Sequence, residues 1–301
     1  MARERTFPVM GTTAHLVVVG GRSRHLDLAE MHLRDLHRRW TRFDRDSDVS
    51  RLNAAGGRVV ILPPDTYAVI EAAVQGWRYT RGRFDPTVAD SMAAVGYDRS
   101  FERIPAVATA LRTRPAPGCA GIALFPELHA VAMPPGVHLD LGGIAKGMAA
   151  DMVVDELLAA GARGAAVNIG GDVRVAGEAP SPAGWIIELA PTAVGVRPAL
   201  RVGLARGAVC TTTRKRRTWR GPEGPRHHLV DPGTGRPADA GLESVSIVAP
   251  TAVRAELLAK AAYLAGLSGG AELLEEAGAC GVLVTDAGQI CPAGAIRDFL
   301  R

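Results

Sequence analysis

The pattern of apolar and polar residues along the chain predicts a few long helices and a larger number of short strands. β-Branched and apolar residues over 13–19 predict a strand, and apolar positions at helical spacing over 26–42 predict a helix. Helices are also predicted over 64–81, after Lys146, and over 254–266. Further strands are predicted at 121–125, 129–133, 164–169, 172–177, 184–190, 199–204, 243–249 and 281–286. Helices and strands are segregated enough to favour an α+β fold over a doubly wound sheet.

The predicted helix over 254–266 carries two charges, Glu256 and Lys260, four residues apart on one face. The segment is otherwise apolar almost all the way round, and helices of that kind are buried. The pair is therefore either a surface ion pair worth a few tenths of a kcal/mol or a charged pair placed inside a site. The glycine at 266 is expected to end the helix.

The length and composition are those of an ordinary globular protein with a large core. The 301 residues are 47% hydrophobic, which suits one domain over 1–301, or two closely packed subdomains. No apolar run approaches the roughly 18 to 20 residues of a membrane span, and residues 1–12 show no signal-peptide core. We therefore expect a cytoplasmic protein without membrane insertion. The four widely spaced cysteines suggest neither disulfides nor zinc, and buried thiols are expected.

The net charge of +4 comes almost wholly from arginine, because lysine occurs only at 146, 215 and 260. A lysine retained in such a chain hints that a compact ammonium is wanted there. The basic run at 214–217 raises the question of nucleic acid. Aromatic content is only 5% and no recognition fold is visible, so no nucleic acid is expected and a solvated loop is favoured.

Four polar or glycine-bearing clusters are candidates for chemistry, at 83–87, 140–147, 168–172 and 227–235. The sequence DLGGIAKG over 140–147 lies between a strand and a helix, where backbone N–H groups can hold a phosphate. A tight turn with a helix cap explains it equally well. NIGGD over 168–172 is most simply a Gly-Gly hairpin, and DPGTG over 231–235 a turn. The two histidines at 227–228 are candidates to accept a hydroxyl proton near neutral pH, although a structural histidine is the commoner case.

The order and combination of these clusters resemble the ApbE family of FAD:protein FMN transferases. The resemblance runs from about residue 9 to 290 and rests on the segments MGT (10–12), DSDVSRLN (46–53), GRFDPTV (82–88), DLGGIAKGMAAD (140–151), VNIGGDV (167–173), AVCTTT (208–213), HHLVDPGTGRP (227–237) and SVSIVAPTAVRAELLAKAA (244–262). DLGGIAKG and HHLVDPGTGRP are the most specific.

The resemblance implies an α+β fold with FAD in a cleft between mixed or antiparallel sheets and helices. It implies a reaction that splits the FAD pyrophosphate, transfers FMN to a threonine or serine of an acceptor protein and releases AMP. By position, four residues are implied to line the flavin and ribityl region: Met10, Arg83, Phe84 and Asp85.

The same resemblance implies that Asp140 and Lys146 hold FAD, that the Gly143 carbonyl binds Mg²⁺, and that His228 assists proton transfer from the attacking hydroxyl. In phosphoryl transfer a protein mainly positions the reactants and neutralises the charge of the phosphates, and these residues are suited to both tasks. A hydroxyl nucleophile needs a base beside it.

The chain departs from the family pattern at two places. A threonine run at 211–213 stands where the family has T-S-G, so a flexible glycine is lost. Glu256 and Lys260 stand where the family binds Mg²⁺ through an aspartate and a threonine or serine. Glu256 can still bind a hard cation and is, with Gly143, a candidate metal ligand, but lysine has no acceptor for a metal ion. We therefore expect the Lys260 ammonium, held by Glu256, to occupy the space of the ion and touch the diphosphate. A non-catalytic FAD-binding protein or an FAD pyrophosphatase is the alternative function.

Overall fold

The computed structural model describes residues 1–104, 113–189, 200–221 and 224–301. Its helices are α1 Ser23–Trp40, α2 Asp48–Asn53, α3 Pro64–Tyr79, α4 Ala89–Ala94, α5 Ala145–Ala159 and α6 Ala252–Glu276. Its strands are β1 Ala2–Val9, β2 Thr12–Val19, β3 Val60–Ile61, β4 Ala123–Phe125, β5 Ala130–Ala132, β6 Gly164–Ile169, β7 Asp172–Gly177, β8 Trp185–Glu188, β9 Arg201–Leu204, β10 Gly207–Thr213, β11 Thr218–Gly221, β12 Gly224–His227, β13 Leu242–Ala249, β14 Cys280–Thr285 and β15 Ile290–Ala293.

Eight strands form one antiparallel sheet in the order β1-β2-β6-β7-β10-β13-β14-β15. Helices α5 and α6 pack against each other; α5 also packs on β6 and β7, and α6 on β10 and β13. Every residue of β13 is buried, which requires cover on both faces of the sheet. The α+β prediction is confirmed.

The strands β8 and β9 pair as a separate antiparallel ribbon. Trp185 and Leu204 of the ribbon share an apolar cluster with Val175 of β7 and Val209 of β10. Residues 190 and 199 of the two strands predicted here lie outside the described part of the chain.

The described chain separates into two compact units. The first holds the eight-stranded sheet with α5 and α6, in residues 1–35, 144–213 and 240–301. The second, in residues 36–143 and 214–239, holds α3, the sheet β3-β5-β4 and the hairpin β11–β12. A cluster that includes Tyr97 and Trp219 is buried within this second unit. The prediction of one domain over 1–301 stays a prediction.

Helix α6 leaves helical geometry at the glycine that the sequence marks as its end. Gly266 has φ 72° and ψ −173°, and a second helical segment continues from there to Glu276. The positive φ is the conformation that glycine adopts without steric cost. The predicted end at residue 266 is therefore a sharp break within a longer element.

Candidate functional site

Helix α5 begins with backbone N–H groups that no local side chain caps. One of them, the N–H of Gly147, donates to Glu256 Oε2 at 2.8 Å. Glu256 comes from α6 and is only 3% exposed. A carboxylate at a helix N-terminus satisfies an otherwise unpaired donor and meets the positive end of the helix dipole. Glu256 therefore caps α5 from a distant part of the chain, and it is not a surface carboxylate.

The Lys146 ammonium bridges two buried carboxylates. Its Nζ lies 2.7 Å from Asp172 Oδ2 and also contacts Glu256 Oε1. The side chains of Asp172 and Glu256 are 5% and 4% exposed, and that of Lys146 is 18% exposed. Burial alone would lower the pKa of Lys146, but the two carboxylates raise it well above its usual range. Burial raises the pKa of Glu256, and Lys146 opposes that rise. We call these three residues the ion cluster.

The helices α5 and α6 cap each other where they meet. A Cβ on Gly147 would lie 2.5 Å from the Ala252 carbonyl oxygen, so this close approach requires glycine. Asp151, one turn further along α5, accepts the N–H groups of Ala252 and Val253 at 2.9 and 2.8 Å. Arg174 Nε lies 2.9 Å from Asp151 Oδ1. Asp151 thus caps α6 while Glu256 caps α5.

The NIGGD segment forms the predicted hairpin between β6 and β7. Gly170 and Gly171 have φ of 64° and 101°, as a tight two-residue turn requires. The hairpin also presents Asp172, whose Oδ1 accepts the N–H of Thr211 at 3.2 Å. Sequence reasoning missed this second role, because a carboxylate directly after a turn is usually solvated.

Lys260 is half-buried on α6, one turn after Glu256. The ammonium that the structure places on Glu256 Oε1 is that of Lys146. The expected contact of Lys260 with a diphosphate stays a prediction, and so does the carbonyl role of half-buried Gly143, just before α5.

Asp140 lies in the second unit, and its carboxylate orders the glycine turn after it. Its Oδ1 accepts the N–H of Gly142 at 2.6 Å, and its Oδ2 accepts from Arg42 Nε at 2.6 Å. The Arg42 guanidinium also lies over the rings of Phe43 and Tyr97, at 4.3 and 5.3 Å from their centroids. Sequence reasoning did not identify Arg42, which nothing in its local pattern distinguishes from other arginines.

The segment 83–87 places its three predicted flavin residues in different surroundings. Arg83 is exposed, whereas Phe84 is 1% and Asp85 8% exposed. Asp85 Oδ1 accepts from the N–H and the hydroxyl of Thr87 at 2.8 and 2.6 Å. Burial raises the pKa of Asp85, and the Thr87 hydrogen bonds oppose that rise. The Asp85 carboxylate thus stabilises the turn to which it belongs. Contact of Arg83, Phe84 and Asp85 with flavin stays a prediction.

Met10 forms the turn between β1 and β2 together with Gly11, and both have positive φ, 51° and 64°. This conformation is uncommon for a residue with a side chain, and such backbone strain clusters at ligand sites. The expected contact of Met10 with flavin stays a prediction that this backbone supports.

The two histidines differ in their environment. His227 Nε2 lies 3.1 Å from the Ala238 carbonyl, and its Nδ1 accepts the N–H of Leu229 at 3.3 Å. These partners assign the proton to Nε2, and burial lowers the pKa of His227. His227 is therefore a neutral structural histidine. His228 is half-buried and remains the candidate base.

The DPGTG segment is the turn that its composition predicts. Asp231 accepts the Gly233 N–H at 2.9 Å through Oδ1 and the Gly235 N–H at 2.7 Å through its carbonyl. Gly235 has φ 68°, and a Cβ there would lie 2.1 Å from the Arg114 carbonyl oxygen. These contacts fix the backbone conformation of the chain shortly after His228.

The threonine run continues β10 to its end. Thr211 and Thr213 pair with Ser246 and Ser244 of β13, and the hydroxyls of Thr211 and Ser246 are 2.8 Å apart. The backbone is extended where the family pattern has glycine.

The comparisons with known proteins identify the family. The sequence profile of the ApbE family matches residues 10–284. The chain belongs to the ApbE family. The FAD:protein FMN transferase of Treponema pallidum is 30% identical over 251 residues, which are 77% of this chain and 68% of that protein. The one of Haemophilus influenzae is 26% identical over 283 residues, 89% of this chain and 82% of that protein.

Solved structures of ApbE proteins share the fold. The ApbE protein of Thermotoga maritima superposes with a TM-score of 0.89 at 26% identity and covers 100% of both chains. The flavin transferase ApbE of Vibrio cholerae has a TM-score of 0.84 at 21% identity, covering 100% of this chain and 99% of its own.

The ion cluster does not fit the magnesium site that the family pattern implies. Mg²⁺ demands near-octahedral oxygen ligands, whereas Glu256 Oε1 meets an ammonium and Oε2 accepts an N–H. Among the residues that the structure describes, no three His, Cys, Asp or Glu side chains group as metal ligands. The described helices also include none that is long and apolar enough to cross a membrane.

Proposed function

We propose that this protein is an FAD:protein FMN transferase. The observation that carries the proposal is the match to the ApbE family over residues 10–284, with curated relatives of that name aligned over 77% and 89% of the chain. The acceptor is a protein that presents a threonine or serine hydroxyl.

The reaction exchanges the phosphoanhydride bond of FAD for a phosphoester bond to the acceptor. The acceptor hydroxyl oxygen attacks the phosphorus of the FMN half of FAD, and a new P–O bond joins FMN to the acceptor. The bond from that phosphorus to the bridging oxygen breaks, and AMP leaves with the bridging oxygen and the electron pair. The hydroxyl proton passes to a base.

His228 is the proposed base. The neighbouring His227 is hydrogen-bonded to the Ala238 carbonyl and the Leu229 N–H, and burial lowers its pKa, which suits a structural role. Removing a general base typically lowers a rate about 10²- to 10⁴-fold.

The start of α5 is the proposed diphosphate-binding segment. Backbone N–H groups and the positive end of a helix dipole favour phosphate oxygens. An ammonium has three N–H donors, and the two carboxylates of the ion cluster account for two of those of Lys146. The third donor of Lys146 is proposed to meet a phosphate oxygen. Asp140 contributes by holding the glycine turn before α5.

The flavin is proposed to contact Met10 and the segment 83–85. The strained backbone of Met10 and the exposure of Arg83 support this assignment. We also propose a cytoplasmic location, because all four cysteines are free. Cell fractionation tests the location.

A non-catalytic FAD-binding protein is the second candidate, because Glu256, the carboxylate expected at a metal site, is already paired with Lys146. Incubating the purified chain with FAD and each protein encoded beside it, then measuring AMP, separates the two. A transferase releases AMP only with its acceptor, and a pyrophosphatase releases AMP without one. Intact FAD in every mixture would favour the binding protein.

A further inference from the structure

The ion cluster has an assigned partner for each of its carboxylate oxygens. Glu256 uses Oε1 for Lys146 and Oε2 for the Gly147 N–H. Asp172 uses Oδ2 for Lys146 and Oδ1 for the Thr211 N–H. A divalent ion would have to displace the lysine to reach either carboxylate.

The charges of the ion cluster are largely balanced without a metal ion. Two carboxylates and the Lys146 ammonium sum to −1, and Glu256 meets the positive end of α5. Lys260, one turn beyond Glu256 on α6, brings the sum of the four groups to zero. A divalent ion added beside the Lys146 ammonium would meet electrostatic repulsion.

We infer that the Lys146 ammonium is the permanent cation of this site, so that the protein neither holds nor needs a divalent ion there. This inference deepens the proposed function, because it concerns how the same site takes a diphosphate. It transfers to Lys146 the ion-replacing role that the sequence suggested for Lys260. The Lys146 ammonium is held by two helices and a hairpin, so it is positioned before any substrate arrives.

The first test uses the wild-type protein and does not depend on catalysis. Protein purified without chelator is analysed for metals by mass spectrometry, and its melting temperature and FAD affinity are measured in EDTA and in millimolar Mg²⁺. We expect far less than one metal ion per chain, equal melting temperatures, and FAD affinities within about twofold. One bound Mg²⁺ per chain, or an FAD affinity that falls tenfold or more in EDTA and returns with Mg²⁺, would overturn the inference.

The second test removes the ammonium. Lys146→Met leaves Asp172 and Glu256 without their cation, so its melting temperature should fall and should rise again with added Mg²⁺. Lys215→Met, which removes an exposed lysine, is the matched control and should melt like the wild type in both buffers. If Lys146→Met folds and its melting temperature does not change with Mg²⁺, the Lys146 ammonium does not occupy the place of a divalent ion.

A third variant keeps the inference testable if Lys146→Met fails to fold. Lys146→Gln keeps a polar side chain beside Asp172 and Glu256 but removes the charge, so its melting temperature and FAD affinity should rise with added Mg²⁺. A folded Lys146→Gln protein whose melting temperature and FAD affinity do not change with Mg²⁺ would overturn the inference. If no form binds FAD, the proposed function fails, and metal content and melting still decide the inference.

Discussion

Asp151 gives the sharpest test of the packing that supports the site. It accepts two N–H groups at the start of α6 at 2.9 and 2.8 Å and pairs with Arg174, which is 2% exposed. Loss of a helix cap costs about 1 kcal/mol. Stranding a buried charge by removing its partner costs about 3 to 5 kcal/mol. Arg174 keeps its hydrogen bonds to two backbone carbonyls, so we expect Asp151→Ala to cost about 3 to 5 kcal/mol in total.

That loss is a large share of the roughly 5 to 15 kcal/mol that stabilises a typical domain. Asp151→Asn keeps one acceptor oxygen but not the charge, and it should fall between wild type and Asp151→Ala. Asp155→Ala, one turn further along α5 and exposed, is the control and should cost less than about 0.5 kcal/mol. Urea denaturation followed by circular dichroism measures the differences. Equal losses for Asp151→Ala and Asp155→Ala would refute the reciprocal capping of α5 and α6.

Three further predictions follow from the site and the fold. His228→Ala should slow FMN transfer about 10²- to 10⁴-fold while FAD affinity, measured by flavin fluorescence, stays within a few fold; near wild-type transfer would contradict its role as base. FAD should bind more tightly than FMN in the same titration, because only FAD carries a diphosphate, and equal affinities would remove that argument. Burial alone would raise the pKa of Asp48, but hydrogen bonds from Thr66, Arg51 and Arg39 lower it. Ionised Asp48 therefore stabilises the folded protein above about pH 4, and this contribution is lost as the pH falls through the folded-state pKa. The melting temperature of Asp48→Asn should then fall less steeply with decreasing pH than that of the wild type. An unchanged dependence of the melting temperature on pH would contradict this prediction.

The sequence predicts the elements whose side-chain period is clear. The helices after Lys146 and around Glu256 and the hairpin at 168–172 were predicted from helical spacing and from a Gly-Gly pair. β1 was missed because it is an edge strand with exposed charges, which carries little apolar alternation. Met31 is an apolar residue within the helix predicted over 26–42, yet it is 64% exposed, because it lies two residues from buried Leu33 and so points away from the core.

The site itself is less accessible to sequence reasoning. Lys146 and Glu256 were each singled out, but their contact joins residues 110 positions apart and depends on how α5 packs against α6. The local pattern instead paired Glu256 with Lys260, its neighbour one turn away. Asp172 and Asp151 gave no separate signal, because a carboxylate after a turn or within a helix is usually solvated.

The central claim, FMN transfer to protein, is tested most directly by the intact mass of an acceptor. Each protein encoded beside this one is co-expressed with it, purified and weighed by mass spectrometry, alongside a variant in which the modified threonine or serine is alanine. The account predicts that one acceptor gains the mass of a single phosphodiester-linked FMN, that the alanine variant does not, and that AMP appears in equal amount. An FAD-saturated protein that leaves every acceptor unmodified and releases no AMP would contradict it.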